Sequence, residues 1–256
     1  MKKFTTLILF LNLLTFIFVT SACCEEKRYS GLTVKEAFQD TAVRGLADAA
    51  ASGNIKEIDR LVENGVNING AGTNGITPLW WAITTGNFEA FAHLLNKGAN
   101  PNVQTGGGHR NVMDLAAIEK ITNYLAAAIN AGGDVNLVYQ PDKTVRYRTP
   151  FDGQTPLFSA MLPGNKHNID LLISKGADLN FQDPDGMTPM MIAAGGNGFD
   201  IVYELLIKGA DPTLKDKTGN TILWNIKHNS LSQESDGYKW RQKVIDLLKK
   251  KGVVVE

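Results

Sequence analysis

The sequence predicts an all-α fold: a solenoid of about six stacked helix–turn–helix units with β-hairpin fingers projecting from one edge. Three observations predict it. Gly153, Gly186 and Gly219 open the related stretches GQTPLFSA, GMTPMMIA and GNTILWNI at intervals of 33 residues, and GITPLWWA stands earlier at Gly75. A second ladder keeps the same phase: NGVNIN, KGANPN, AGGDVN, KGADLN and KGADPT, with Gly65, Gly98, Gly132, Gly176 and Gly209 spaced by 33, 34, 44 and 33 residues. Between the ladders, apolar residues recur at helical spacing on either side of a turn. One such unit cannot bury its apolar face alone, so neighbours must stack.

The unit beginning at Gly186 shows how each element arises. Thr188 is placed to cap a helix and Pro189 suits the first helical position. Met190, Ala193 and Ala194 supply its inner stripe, and Asn197–Gly198 the turn. Ile201, Val202, Leu205 and Leu206 form the apolar face of a second helix, which Gly209 ends in the left-handed conformation. The preceding Asp183, Asp185 and Gly186 look like the start of a calcium loop, but such a loop needs a bidentate Glu at its twelfth position. That position is Ala194. The DPDG stretch is therefore the turn of a finger.

These two motifs, held in one phase over about residues 40–256, resemble the ankyrin repeat. Counting along the chain places units near 41–72, 73–106, 107–149, 150–182, 183–215 and 216–256. The first, from Arg44, lacks Thr-Pro, as befits an N-terminal cap, and follows a short capping helix expected from about Val34. The third opens at Asn111 with Lys120 in place of the turn glycine. The sixth opens at Thr221, and its second helix is delayed by about ten residues to YKWRQKVIDLLKKKG.

Residues 1–22 read as an export signal: Lys2 and Lys3, an apolar run from Leu7 to Val19, then small Ser21 and Ala22. That run falls short of the roughly 20 residues a membrane-spanning helix needs. TSAC at residues 20–23 resembles the lipobox of bacterial lipoproteins, with Thr20 where Leu or Val is usual. The resemblance implies a lipid on Cys23, and Cys24 in the next position favours the outer membrane. Plain cleavage after Ala22 would instead give a soluble periplasmic protein. Residues 23–40 are the lipobox cysteine, a linker and the start of the cap.

Composition narrows the function. The chain of 256 residues is neutral, and losing residues 1–22 removes two lysines and no acid, leaving −2. A nucleic-acid partner calls for a basic face, which this balance does not supply. No cysteine follows Cys24, so a Zn–Cys site, an internal disulfide and a Cys nucleophile are excluded beyond it. His93, His109, His167 and His228 fall in different units without metal-ligand spacing. There is no Gly–x–Ser–x–Gly elbow, and Asp178 and Asp211 recur only as loop residues of the repeat. No catalytic residue, metal or cofactor is assigned.

Ankyrin proteins bind partners through finger tips and the exposed concave positions of each first helix. Carried onto this chain, the resemblance implies a surface of Thr73, Asn74, Ile76, Trp81, Thr84 and Thr85; Phe151, Asp152, Gln154 and Ser159; Pro184, Asp185, Met187 and Met191; and Lys217, Thr218, Asn220 and Asn225. The longest finger adds Tyr139, Lys143, Arg146, Tyr147 and Arg148, aromatic and guanidinium groups of the kind enriched at interface hot spots. Trp80 and its equivalent Trp224 are expected to pack, and GGGHR at 106–110 to be a flexible finger tip. KVIDLLKKKG at 243–252 reads as the covering helix of the last unit. A lipobox-like signal joined to six repeats resembles the ankyrin immunity lipoproteins that neutralise type VI secretion phospholipase toxins. It also resembles periplasmic ankyrin scaffolds that support an oxidative-stress enzyme.

Overall fold

The computed structural model describes residues 31–120, 123–140, 151–161 and 164–255. Its elements are helical: α1 (Val34–Ala37), α2 (Thr41–Ser52), α3 (Ile55–Glu63), α4 (Pro78–Thr84), α5 (Phe88–Asn96), α6 (Val112–Ile118), α7 (Asn123–Asn130), α8 (Pro156–Met161), α9 (Lys166–Ser174), α10 (Pro189–Gly195), α11 (Phe199–Ile207), α12 (Ile222–His228) and α13 (Asp236–Lys250), with a 3-10 turn at Thr73–Gly75.

The lengths of these helices follow from their caps. Thr77 accepts from the Trp80 amide at 3.2 Å and Thr188 from the Met191 amide at 3.2 Å, each followed by Pro at the first helical position. Asn111 does the same for α6, accepting from Asp114 N–H at 2.8 Å. Asn54, Asn87 and Asn165 cap the second helices of their units. At the N-terminus Thr33 and Glu36 form a reciprocal capping box around α1.

The first helices of the units, α2, α4, α6, α8, α10 and α12, pack in one continuous row. Their partners α3, α5 and α7 pack side by side, and α13 closes over α11. One apolar core runs the length of the stack, from Phe38 and Leu46 through Phe91, Leu125 and Leu172 to Leu205 and Leu248.

A ladder of side chains binds the loops of adjacent units. Asn69 accepts from Asn100 N–H, Asn102 from Asp134 N–H, Asn136 from Asp178 N–H and Asn180 from Asp211 N–H, all at 2.8 Å. Asp178 and Asp211 each turn their own loop by accepting the amide two residues on. They are loop residues, as the repeat pattern requires.

On the finger edge the chain departs from expectation. No strand forms among the described residues, and β-hairpin geometry is not seen there. The fingers are tight turns closed by one or two backbone bonds, such as Gly72 N–H to Ile76 O at 2.8 Å and Asp183 N–H to Met187 O at 3.0 Å. Asp183 is buried and accepts from the amides of Asp185 and Met187 through one oxygen, and from Gln154 Nε2 through the other. Its carboxylate is used to hold the turn.

Candidate functional site

Neighbouring fingers are linked edge to edge, which fixes the geometry of their tips. Gly106 N–H donates to Asn74 O at 2.8 Å, and Lys217 N–H to Asp185 O at 2.9 Å. Gln104 Nε2 reaches Val138 O at 3.0 Å, and Gln182 Nε2 reaches Lys215 O at 2.8 Å. The GGGHR stretch is part of this framework: Thr105 donates to His109 O at 2.7 Å and Gly106 is pinned to Asn74, so it is a bonded tip.

Of the sequence-derived surface, Thr73, Asn74, Pro184, Asp185, Lys217 and Thr218 are exposed at these tips. Met187, Asn220, Asn225, Gln154 and Phe151 are half-buried. Thr84 and Thr85 are half-buried as well, and their hydroxyls donate to carbonyls of α4 itself. Lys143, Arg146, Tyr147, Arg148 and Cys23 lie outside the described residues, as does the export signal.

Six expected surface residues are buried instead. Ile76 closes its finger and turns its side chain into the core. Trp81 is covered by Phe38 of the N-terminal cap, edge-on at 5.8 Å. Tyr139 sits at the base of the long finger, bonded through its backbone to Gln154 and Gly153 and edge-on to Phe151 at 4.9 Å. Asp152 is buried at the same base. Met191 stands three residues after its cap Thr188, the core-facing place that Trp80 holds after Thr77. Ser159 is enclosed between units by Arg110 and Asp114.

Trp80 packs as expected, with its indole N–H donating to Arg110 O at 2.8 Å. Trp224 does not. It is 47% exposed, and among the described residues no finger lies over it.

A buried polar cluster escaped the sequence reading. Ser159 Oγ donates to Asp114 Oδ1 at 3.0 Å and accepts from Arg110 Nη1 at 2.9 Å, while the Arg110 guanidinium lies 4.3 Å over the Phe151 ring. Burial pushes the Asp114 carboxyl up to about 7, opposed by the Ser159 bond and by Arg110; burial also pulls Arg110 below its ordinary value. A legible signal existed. Asp114 occupies the repeat position held by Trp80 and Phe158, and a carboxylate there must find a partner. Ser159 has no accessible surface, so the cluster clamps two units and the finger base together. On the outer helices, Asp59 receives Lys97 Nζ at 2.7 Å and His93 Nε2 at 2.8 Å, which hold its carboxyl below the usual range. Among the described residues no cluster of His, Cys, Asp or Glu is arranged to hold a metal ion, and no helix is long and apolar enough to cross a membrane.

Stacked helix pairs with a laterally bonded row of exposed tips define a repeat-solenoid binding module. The chain belongs to the ankyrin-repeat family, whose description, Ankyrin repeats (3 copies), matches residues 32–105 and 111–224. It is similar to the phosphocholine transferase AnkX of Legionella pneumophila, 26% identical over 214 residues, which cover 80% of this chain and 21% of that protein. It is also similar to Protein PhlB of Serratia liquefaciens, 28% identical over 155 residues, covering 58% of this chain and 60% of that one. The chain thus spans less than two thirds of either relative. Among solved structures, the ankyrin repeat domain ABAYE2397 of Acinetobacter baumannii aligns with a TM-score of 0.65 and 26% identity, covering 82% of this chain and 98% of that one. The complex of the Bd0816 predatory endopeptidase of Bdellovibrio bacteriovorus with immunity protein Bd3460 aligns with a TM-score of 0.59 and 24% identity, covering 81% and 97%. That likeness shows the fold.

Proposed function

We propose that this chain is an immunity protein: a periplasmic, lipid-anchored ankyrin module that binds and neutralises a type VI secretion lipase or phospholipase. The observation that carries the binding role is the laterally bonded row of finger tips. Asn74, Asp185 and Lys217 present unlike side chains from a backbone already fixed by the bonds to Gly106 and between Asp185 and Lys217, so little ordering accompanies capture. The export signal and lipobox at Cys23 support placement beside the membrane such a toxin attacks. The likeness in fold to a structure of an endopeptidase in complex with an immunity protein supports the reading.

Blocking follows from shape. A rigid curved row of tips covers a hydrolase's active-site mouth or holds its lid shut, and the toxin's substrate is a membrane lipid too bulky to pass. Catalysis by this chain is not required. The test is capture: tagged protein lacking residues 1–22 should retain a lipase from the secreted fraction and abolish its activity at one-to-one stoichiometry. Capture of an oxidative-stress enzyme, with lipase activity untouched, would replace immunity with the scaffold reading. Equal killing by the toxin with and without this gene would sink it.

A further inference from the structure

Trp80, Asp114, Phe158, Met191 and Trp224 hold one place in successive units, three residues after Thr77, Asn111, Thr155, Thr188 and Thr221. Where another finger follows, it covers that place. Trp80 receives the His109 ring edge-on at 5.5 Å and gives its indole N–H to Arg110 O. Phe158 receives Phe181 edge-on at 6.2 Å. Trp224 has no such cover. It stacks at 4.6 Å on His228 of its own helix, whose Nδ1–H donates to Trp224 O at 2.8 Å, and its indole N–H meets no acceptor among the described residues.

The end face is therefore a stacking site left open. Trp224 lines a cleft of about 390 Å³ with Leu223, Ile226, Val255 and Val254, the last 73% exposed. The face presents an indole and valines. The cleft is also basic. Lys227 lines it beside His228, and among the described residues no carboxylate does. Lys217 stands two residues before Gly219 on the same finger, and Lys251 two residues before Val253. The nearby Asp216 is engaged in its turn by the amides of Thr218 and Asn220.

We propose that this cleft docks a short, extended, acidic segment of a partner protein. One apolar or aromatic side chain of that segment lies on Trp224, a backbone carbonyl accepts the indole N–H as Arg110 does for Trp80, and flanking carboxylates meet the lysines. A second copy of this chain is disfavoured, because end-to-end pairing would bring the same lysines together. The site is separate from the finger tips and stands whether or not the partner is a toxin.

The test uses purified protein lacking residues 1–22, labelled with nitrogen-15, with the Trp224 indole signal identified by Trp224→Phe. The probe is a capped octapeptide of glutamates and leucines around one phenylalanine, and the control replaces each glutamate by lysine. The acidic peptide should shift the Trp224 indole signal, the lysine peptide should not, and binding should weaken as NaCl is raised. Lys227→Glu and Trp224→Ala should each weaken binding by about tenfold or more, with melting unchanged for exposed Lys227→Glu and the helical circular dichroism spectrum retained for Trp224→Ala. An unmoved indole signal, an equal response to the lysine peptide, or self-association abolished by Trp224→Ala would each overturn the proposal.

Discussion

Ser159 Oγ donates to Asp114 Oδ1 at 3.0 Å across the boundary between the third and fourth units, in a setting both residues share with little water. With its carboxyl pushed up to about 7, Asp114 binds a proton more tightly folded than unfolded, where the ordinary value is 3.8. Between those values stability must fall as pH rises, by up to about 4 kcal/mol. Arg110, the charged group facing it, offsets part of that cost. Asp211 and Asp216 act oppositely: the bonds from Thr213 and Thr218 hold them below 3.8, so their contribution is lost only as pH falls through that lower range. Urea denaturation of Asp114→Asn at pH 5 and pH 8 should show a flatter pH dependence than wild type. Identical pH dependence would show that Asp114 does not titrate in this window.

Asn136 tests the ladder where the repeat is irregular. The glycines flanking it are 44 residues apart instead of 33 or 34. Even so, it accepts from Asp178 N–H at 2.8 Å and donates to Gly176 O at 3.1 Å, as Asn102 does toward Asp134 and Gly132. Asn136→Ala should cost about 1 kcal/mol by urea midpoint, because water replaces part of both bonds. Asn96→Ala, on an exposed helix position, should cost close to nothing. Equal effects would deny the ladder any energetic role.

Gly186 and Gly209 separate backbone conformation from crowding. Both have left-handed φ, +77° and +101°. A Cβ on Gly209 would meet nothing within 4 Å, whereas one on Gly186 would lie 2.9 Å from Asp216 Cα and 3.0 Å from Lys217 N in the next finger. Gly209→Ala should therefore cost about 1 kcal/mol, the left-handed penalty alone. Gly186→Ala should cost clearly more and disturb the Lys217–Asp185 bond, visible as loss of amide protection at Lys217. Equal costs would mean the fingers are not in close register.

The helix pairs were legible because the signal is local: a Thr cap, a Pro, an apolar stripe and a terminating Gly occur within each unit. The role of Asp183 and Asp178 in turns was legible for the same reason. Exposure was not, since it depends on the neighbour. Trp81 is covered by Phe38 of the cap, Tyr139 is held at the finger base by Gly153, Gln154 and Phe151, and Ser159 is enclosed where Arg110 and Asp114 converge from another unit. Trp224 departed in the other direction: its ring stacks on His228 of its own helix and meets no finger among the described residues.

The long finger carries the prediction most directly tied to capture. Arg146 and Tyr147 are large side chains of hot-spot type in a segment whose base is clamped by Tyr139, Phe151 and Arg110. Changing both to Ala should weaken retention of the proposed lipase partner by more than about 2 kcal/mol with melting unchanged. Undiminished retention would remove this finger from the interface and leave the tips at Asn74, Asp185 and Lys217.

Trp80 and Trp224 form a natural control pair, one repeat position in two surroundings. Trp80→Phe opens a void in a sealed core and leaves Arg110 O without its donor, a loss of about 2–3 kcal/mol. Trp224→Phe removes an indole already 47% exposed and should shift stability by no more than about 0.5 kcal/mol. Fluorescence should divide the same way: Trp224→Phe reduces the red-edge emission that acrylamide quenches, leaving the share of half-buried Trp240, and Trp80→Phe leaves it unchanged. If Trp224→Phe destabilised the protein as much as Trp80→Phe, Trp224 would have to be covered in solution. Its cover would then be a second copy or a segment of this chain, since purified protein contains nothing else to lie on that face.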